Sequence, residues 1–257
     1  MDNVFVNPNE RIDDLQLGGL CIIQNPDWFC FGVDAVLLAD FAKKSIKKNS
    51  IVLDLCTGNG IVPLLLAEKS LAKHITGIEI QSPVAEMASR SVVMNNLSGK
   101  IDIINDDLNN AVERFGKNSF DNISCNPPYK EVTGGLKNNT GIITVARHEI
   151  YCTLKDVIYV SSQLLKQYGK LAMIHRPERL IEIICYMKEF GLEPKRLRFV
   201  HPSANKTANM ILIEGVKCGN PKLFLEPPLY VYGEDGKYSA EIDEIYGRVK
   251  NGGDKLD

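Results

Sequence analysis

Long hydrophobic runs are missing from this 257-residue chain, and none approaches the ~18 apolar residues that a membrane-spanning helix needs. Residues Met1 to Asn9 are polar and carry no charged-then-apolar leader, so a cytoplasmic protein without membrane attachment is expected. Paired cysteines are missing too. The seven cysteines stand singly with no Cys-x-x-Cys, and an odd number argues against a complete disulfide framework, so reduced thiols are expected. The four histidines, His74, His148, His175 and His201, lack metal-ligand spacing, and no metal is expected. The chain also lacks an excess of positive charge. With 30 basic and 32 acidic residues its net charge is -2, unlike a dedicated duplex binder. Local asymmetry remains: Lys195, Arg196, Arg198 and Lys206 against Glu193 make one short stretch basic, while the tail from Val231 is acidic. Such runs serve either as a basic face or as plain solvated loops.

What is present is an ordinary globular composition, 44% hydrophobic and 24% charged, with no repeats and no Gly/Ser/Pro-rich linker. From Ser50 onward short apolar runs alternate with amphipathic stretches. Strands are expected at Ile51–Leu55, His74–Ile80, Ile101–Asn105, Phe120–Cys125, Lys170–His175, Lys195–Val200 and Met210–Val216. Helices are expected at Ile61–Ala67, Val84–Asn95, Leu154–Gln167 and Glu178–Phe190. This alternation predicts an α/β fold, a doubly wound and mostly parallel sheet with helices on both faces. The chain divides into an N-terminal extension over 1–49 acting as lid or brace, a core domain over 50–216, and a C-terminal hairpin and helix over 217–257 packed on that domain. In the extension a helix is expected from about Asp34, with that side chain as N-cap.

Four strand ends carry chemistry. The first, "DLCTGNGI", places Asp54 before Gly58-x-Gly60 at a helix start, where glycines allow a tight turn and a ligand lies against bare backbone. A dinucleotide fingerprint wants a third glycine where Pro63 stands, which disfavours a nicotinamide enzyme. The second ends in Glu79, a carboxylate placed to accept ribose hydroxyls. At the third, Asn105-Asp106-Asp107-Leu108, an acid accepts from an adenine amine and Leu108 covers the ring. Asp107 is preferred there, because Asp106 can cap the following helix.

The fourth is Asn126-Pro127-Pro128-Tyr129. Two adjacent prolines fix the backbone and remove two N–H groups, so the corner offers acceptors and few donors. The nitrogen of an adenine amine or an amide is a poor nucleophile because its lone pair is delocalised. The Asn126 side-chain oxygen and the Pro127 carbonyl, accepting its hydrogens, draw that lone pair back, while Tyr129 stacks on the planar group.

With "DLCTGNG" and "NPPY" together, the chain resembles the class I S-adenosylmethionine-dependent methyltransferases that methylate planar nitrogens, over roughly Ser50 to Val216. The resemblance implies a Rossmann-like fold with a seven-stranded sheet, its last strand antiparallel. It implies that Asp54, Gly58 and Gly60 hold the methionine part of S-adenosylmethionine, Glu79 the ribose and Asp107 with Leu108 the adenine. A wider similarity, through "GVDAVLLADF", "ARHE", "HRPERL" and "EPPLYVYGEDGKYSAEIDEIYG", is to the bacterial tRNA adenine-N6 methyltransferases acting on valine tRNA beside the anticodon. That implies tRNA as partner and a flipped-out adenine from a single-stranded loop as substrate. Arg147, Lys195, Arg196 and Arg198 are then the expected RNA contacts. The loop Lys130–Thr140 is a lid candidate, and His148 is a structural or phosphate-contacting residue rather than a base.

Rival readings share parts of this pattern. Glutamine-amide methylation of a release factor also uses NPPY, but those enzymes carry a helical substrate-binding domain larger than the ~50 residues ahead of this core. A ribosomal RNA guanine methyltransferase usually has phenylalanine where Tyr129 stands. A DNA adenine methyltransferase needs a target-recognition insert not found here, and a non-catalytic RNA-binding module does not require Asn126 and the glycines intact.

Overall fold

The protein is described by a computed structural model covering residues 5–28, 30–129 and 152–248. Arg147, His148 and the Lys130–Thr140 loop lie outside the described residues. The chain opens with β1 (Arg11–Asp14) and β2 (Cys21–Gln24), an antiparallel hairpin, followed by α1 (Val33–Lys43). The core runs β3 (Ile51–Leu55), α2 (Ile61–Lys69), β4 (His74–Glu79), α3 (Ser82–Met94), β5 (Ile101–Asn105), a 3-10 turn at Leu108–Asn110, α4 (Ala111–Phe115) and β6 (Phe120–Cys125). It continues through α5 (Leu154–Leu164), β7 (Leu165–His175), α6 (Leu180–Glu189), β8 (Leu192–His201) and β9 (Met210–Lys217). Two-residue strands β10 (Phe224–Leu225) and β11 (Leu229–Tyr230) and α7 (Ala240–Ile245) close the described chain.

The seven long strands lie in the order β8-β9-β7-β6-β3-β4-β5, all parallel except β9, which is antiparallel to both neighbours. β10 and β11 add to the β8 edge and make the sheet nine-stranded, two more than the resemblance implies. Consecutive residues of β3 show the two-sided burial of a central parallel strand. Val52 belongs to a cluster with α1, α2 and α7, whereas Leu53 belongs to one with α4, α5 and α6. Helices therefore cover both faces. The N-terminal segment is built into this arrangement, because α1 buries every residue from Ala35 to Ala42 and packs on α2, β6, β7 and β9.

Two local expectations change. The helix expected through Gln167 stops at Leu164, because Leu165 instead pairs with Phe120 across the sheet. Tyr168 then takes a left-handed φ of 62° beside Gly169, where a Cβ would stand 2.8 Å from the Lys166 carbonyl. Asp34 is not the N-cap of α1. Gly32 holds that position, and Asp34 sits in the first turn with its Oδ1 accepting the Ala35 N–H at 3.0 Å.

Candidate active site

Parallel register brings the ends of β3, β4, β5 and β6 to one edge, with Leu55 beside both Ile78 and Cys125, and Glu79 beside Asn105. This is the edge at which open α/β sheets bind ligands. It encloses a cleft of about 1060 Å³, counting its open mouth, which is ample for a nucleoside-sized molecule. Asp54, Gly58, Glu79, Asp107, Leu108 and Asn126 all line it.

At the first corner Gly58 has φ +56° and nothing within 4 Å of a Cβ position, so bare backbone faces the cleft. Gly60 serves differently. It does not line the cleft, and at φ +83° it starts α2 with a would-be Cβ only 3.2 Å from Ala88, so packing and turn geometry require the glycine. Pro63 sits in the first turn of α2, where its missing N–H costs nothing. Asp54 is buried and accepts the Ser124 hydroxyl at 2.6 Å. Burial pushes its carboxyl up to about 7, with Ser124 opposing.

Glu79 is anchored by backbone. Its Oε2 accepts the Gly58 N–H at 3.0 Å and its Oε1 the Gln81 N–H at 2.9 Å, leaving lone pairs on both oxygens. Burial raises its carboxyl above the ordinary value. Nearby, the buried Gln81 Oε1 lines the cleft without a hydrogen-bond partner among the described residues, an acceptor waiting for a donor. At the third corner the capping roles are the reverse of those expected. Asp107 caps the 3-10 turn through Oδ1, which takes the Asn109 N–H at 2.9 Å, while Asp106 pairs with Arg114 at 3.1 Å and Asn110 at 2.9 Å.

The N-terminal segment walls the same cleft through Trp28 and Phe31. It is wired to the glycine turn by buried Gln24, whose Oε1 accepts both the Asn59 side-chain amide and the Phe31 N–H at 3.1 Å. Arg90 fastens it further, donating to both oxygens of Glu10 at 2.7 Å and holding that carboxyl below its usual range.

At the fourth corner Asn126, Tyr129 and Asp34 meet. Asn126 Nδ2 lies 3.2 Å from Asp34 Oδ2, and the Tyr129 hydroxyl lies 2.8 Å from that same oxygen and 2.5 Å from Asn126 Oδ1. Burial, then Asp34, raises the Tyr129 phenol well above its ordinary value, so it keeps its hydrogen. Its ring meets His175 edge-on at 5.3 Å and lies under the Arg176 guanidinium at 5.2 Å. His175 is fully buried. Its Nδ1 accepts the Arg176 N–H at 2.8 Å, and burial, reinforced by Arg179, lowers its pKa to about 4.

The expected basic patch is not open. Arg196 is 16% exposed in its side chain, pairs with Glu214 at 3.1 Å and Glu226 at 2.7 Å, and covers the Phe41 ring. Arg198, only 7% exposed, donates to the Pro227 carbonyl and pairs with Glu241. Lys195, half-buried, donates to the Asn220 carbonyl at 2.9 Å and sits in the first half of β8, roughly 20 Å of strand from the His201 end that borders the cleft edge. Arg196 and Arg198 hold the β8 edge together, and the expectation that these two contact RNA is corrected on that ground.

The strand order, the lone antiparallel strand and the acid-and-glycine cleft at the strand ends define a class I methyltransferase. A family model, the methyltransferase small domain, matches residues 31–189. Among curated proteins, the tRNA1(Val) (adenine(37)-N6)-methyltransferase of Porphyromonas gingivalis is 33% identical over 189 residues, 71% of this chain and 72% of the relative. The protein of that name from Parabacteroides distasonis is 29% identical over 220 residues, 84% and 90% of the two chains. A crystal structure described as a predicted O-methyltransferase from Agrobacterium tumefaciens aligns with a TM-score of 0.66 at 21% identity, over 83% of this chain and 95% of that one. Geranyl diphosphate C-methyltransferase from Streptomyces coelicolor, bound to S-adenosyl-L-homocysteine, aligns with a TM-score of 0.53 at 12% identity, over 70% and 77%. The chain belongs to the methyltransferase small domain family, and S-adenosylmethionine is its cofactor.

Proposed function

We propose that this enzyme transfers a methyl group from S-adenosylmethionine to the exocyclic amine of an adenine in the anticodon loop of tRNA. The observation that carries the reading is the Asn126-Pro127-Pro128-Tyr129 corner, which borders the cofactor cleft and presents acceptors on a proline-fixed backbone. The relatives named for tRNA adenine-N6 methylation support the same substrate.

The cofactor residues follow from the cleft. Glu79, anchored by two backbone amides, takes the ribose hydroxyls, and the Asp107 carboxylate with Leu108 takes the adenine. Gly58 and Asp54 hold the methionine part, the first by open backbone and the second by a carboxyl that ionises beside a cation. The bound cofactor would supply an electrophilic methyl carbon: the N–C bond would form as the C–S bond breaks, S-adenosylhomocysteine would be the leaving group, and the methylated nitrogen would give one proton to solvent. Asn126 Oδ1 and the Pro127 carbonyl accept the two amine hydrogens and localise the nitrogen lone pair for attack. Tyr129 holds the base in line, and the base leaves its stack to reach the corner. Arg176, exposed and above Tyr129, presents positive charge to the flanking phosphates.

The experiment is transfer of labelled methyl to unmodified tRNA, with a release factor and duplex DNA as alternative acceptors. N6-methyladenosine in the tRNA, lost in Asn126→Ala, is expected. Label in the release factor moves the function to glutamine methylation.

A further inference from the structure

Three contacts at the catalytic corner share only two hydrogens. Asn126 Nδ2 donates to Asp34 Oδ2, and the single phenol hydrogen of Tyr129 is contested between Asp34 Oδ2 and Asn126 Oδ1. A carboxylate is the stronger acceptor, so when the phenol turns to Asp34, Asn126 Oδ1 is left short of one hydrogen. An amine entering the corner brings that hydrogen.

We propose that Asp34 is a positioning residue for methyl transfer. Its carboxylate locks the Asn126 amide with Oδ1 as the free acceptor and takes the Tyr129 hydroxyl when the substrate amine arrives. The inference rests on the reading of Asn126 as the amine acceptor. The amide has two flip states, and an acceptor-only carboxylate opposite it admits only the one that turns Nδ2 toward Asp34. Without that partner the amide rotates freely or turns its oxygen inward, and the substrate meets a donor where it needs an acceptor.

The carboxylate is itself held in place. Asp34 Oδ1 accepts the Ala35 N–H at 3.0 Å, at the helix N-terminus that favours negative charge. Gly32 leaves room for it, since a Cβ there would stand 2.8 Å from Asp34 Oδ1. The "GVDA" stretch thus aims a carboxylate from α1 at a corner 92 positions further along the chain.

The test exchanges the two groups in the full-length enzyme, assayed with S-adenosylmethionine and unmodified tRNA. Asp34→Asn is expected to lower kcat by about 10- to 100-fold, because the new amide competes for Asn126 Oδ1, with cofactor Kd and RNA KM within about twofold. Asn126→Asp is expected to lose at least as much, since two carboxylates then face each other. The double variant Asp34→Asn/Asn126→Asp restores a donor–acceptor pair with an acceptor at position 126, and is expected to recover at least about tenfold over Asn126→Asp. A double variant no better than Asn126→Asp, or Asp34→Asn within about twofold of wild type, overturns the proposal. A readout free of substrate separates this from the reading beneath it. The side-chain amide resonance of Asn126, assigned by its loss in Asn126→Asp, should shift in Asp34→Asn. An unshifted resonance overturns the grip, whereas failure of wild type to methylate tRNA overturns the substrate and leaves the grip decided by the resonance.

Discussion

The two halves of the strand-end edge are held by different means. In the cofactor half, the ends of β4 and β5 carry acids fixed by nearby backbone, Glu79 by the Gly58 and Gln81 amides and Asp107 by the turn it caps, while Asp54 on β3 takes a side-chain donor, the Ser124 hydroxyl. In the substrate half, the end of β6 is held by side chains from elsewhere: Asp34 from α1, and His175 and Arg176 from the end of β7. A cofactor site can thus be specified by short motifs, because its donors are amides that any correctly turned backbone supplies. The substrate corner depends on tertiary packing, and a local change in α1 reaches the reacting group.

The sharpest way to break this comparison is to remove the acceptor of the substrate half. Asn126→Ala is expected to lower kcat by about 10²- to 10³-fold while cofactor affinity, read by calorimetry, stays within about twofold. Removing Arg196 tests the correction at the β8 edge. Arg196→Ala leaves buried Glu214 with the Ser45 hydroxyl and Lys170 at 3.6 Å as its remaining partners and is expected to cost about 1.5–3 kcal/mol in urea unfolding, with RNA affinity of the folded fraction unchanged. Arg176→Ala is expected to weaken RNA binding by about 3- to 10-fold, an effect that shrinks at high salt.

In each half one buried group is displaced far enough to set a slope across pH 4 to 7, and these two slopes oppose each other. His175, with its pKa lowered to about 4, stays neutral in the fold while the unfolded chain takes up a proton below about 6.5, so its contribution is lost as pH falls from about 6.5 to 4. Asp54, raised to about 7, keeps a proton that the unfolded chain gives up above about 3.9, so its contribution is lost as pH rises from about 3.9 to 7. Each is worth on the order of 3 kcal/mol at the far end of its window. Unfolding across pH 4 to 7 is expected to steepen in the acid direction in Asp54→Asn and to reverse slope in His175→Phe. Glu79→Gln gives a smaller effect, a loss of about tenfold in cofactor affinity with kcat at saturation nearly kept.

The same contrast explains what could be read from the chain before its fold was known. The parallel sheet was legible because strands buried on both faces are near-continuous apolar runs, as in Ile51–Leu55 and His74–Glu79. The cleft lining was legible because Asp54, Gly58, Glu79, Asp107 and Asn126 each end or follow a strand, and parallel order gathers such ends. Asp34 was visible as a helix-start residue, but its partner is 92 positions away and no local pattern signals that. Arg196 and Arg198 in the basic run misled for the opposite reason. Charge is read residue by residue, whereas burial and the acids Glu214, Glu226 and Glu241 decide whether it faces solvent. The roles of Gln24 and His175 were not legible, since each meets a distant segment, Asn59 and Tyr129 respectively, that no local pattern signals.

The most direct test of the central claim is a structure of the enzyme with S-adenosylhomocysteine and a short RNA hairpin carrying adenine at the anticodon-adjacent position. The adenine amine is expected within hydrogen-bond distance, about 3 Å, of both Asn126 Oδ1 and the Pro127 carbonyl, with the Tyr129 hydroxyl turned to Asp34. An amine bound elsewhere, with Tyr129 still on Asn126 Oδ1, would contradict the account.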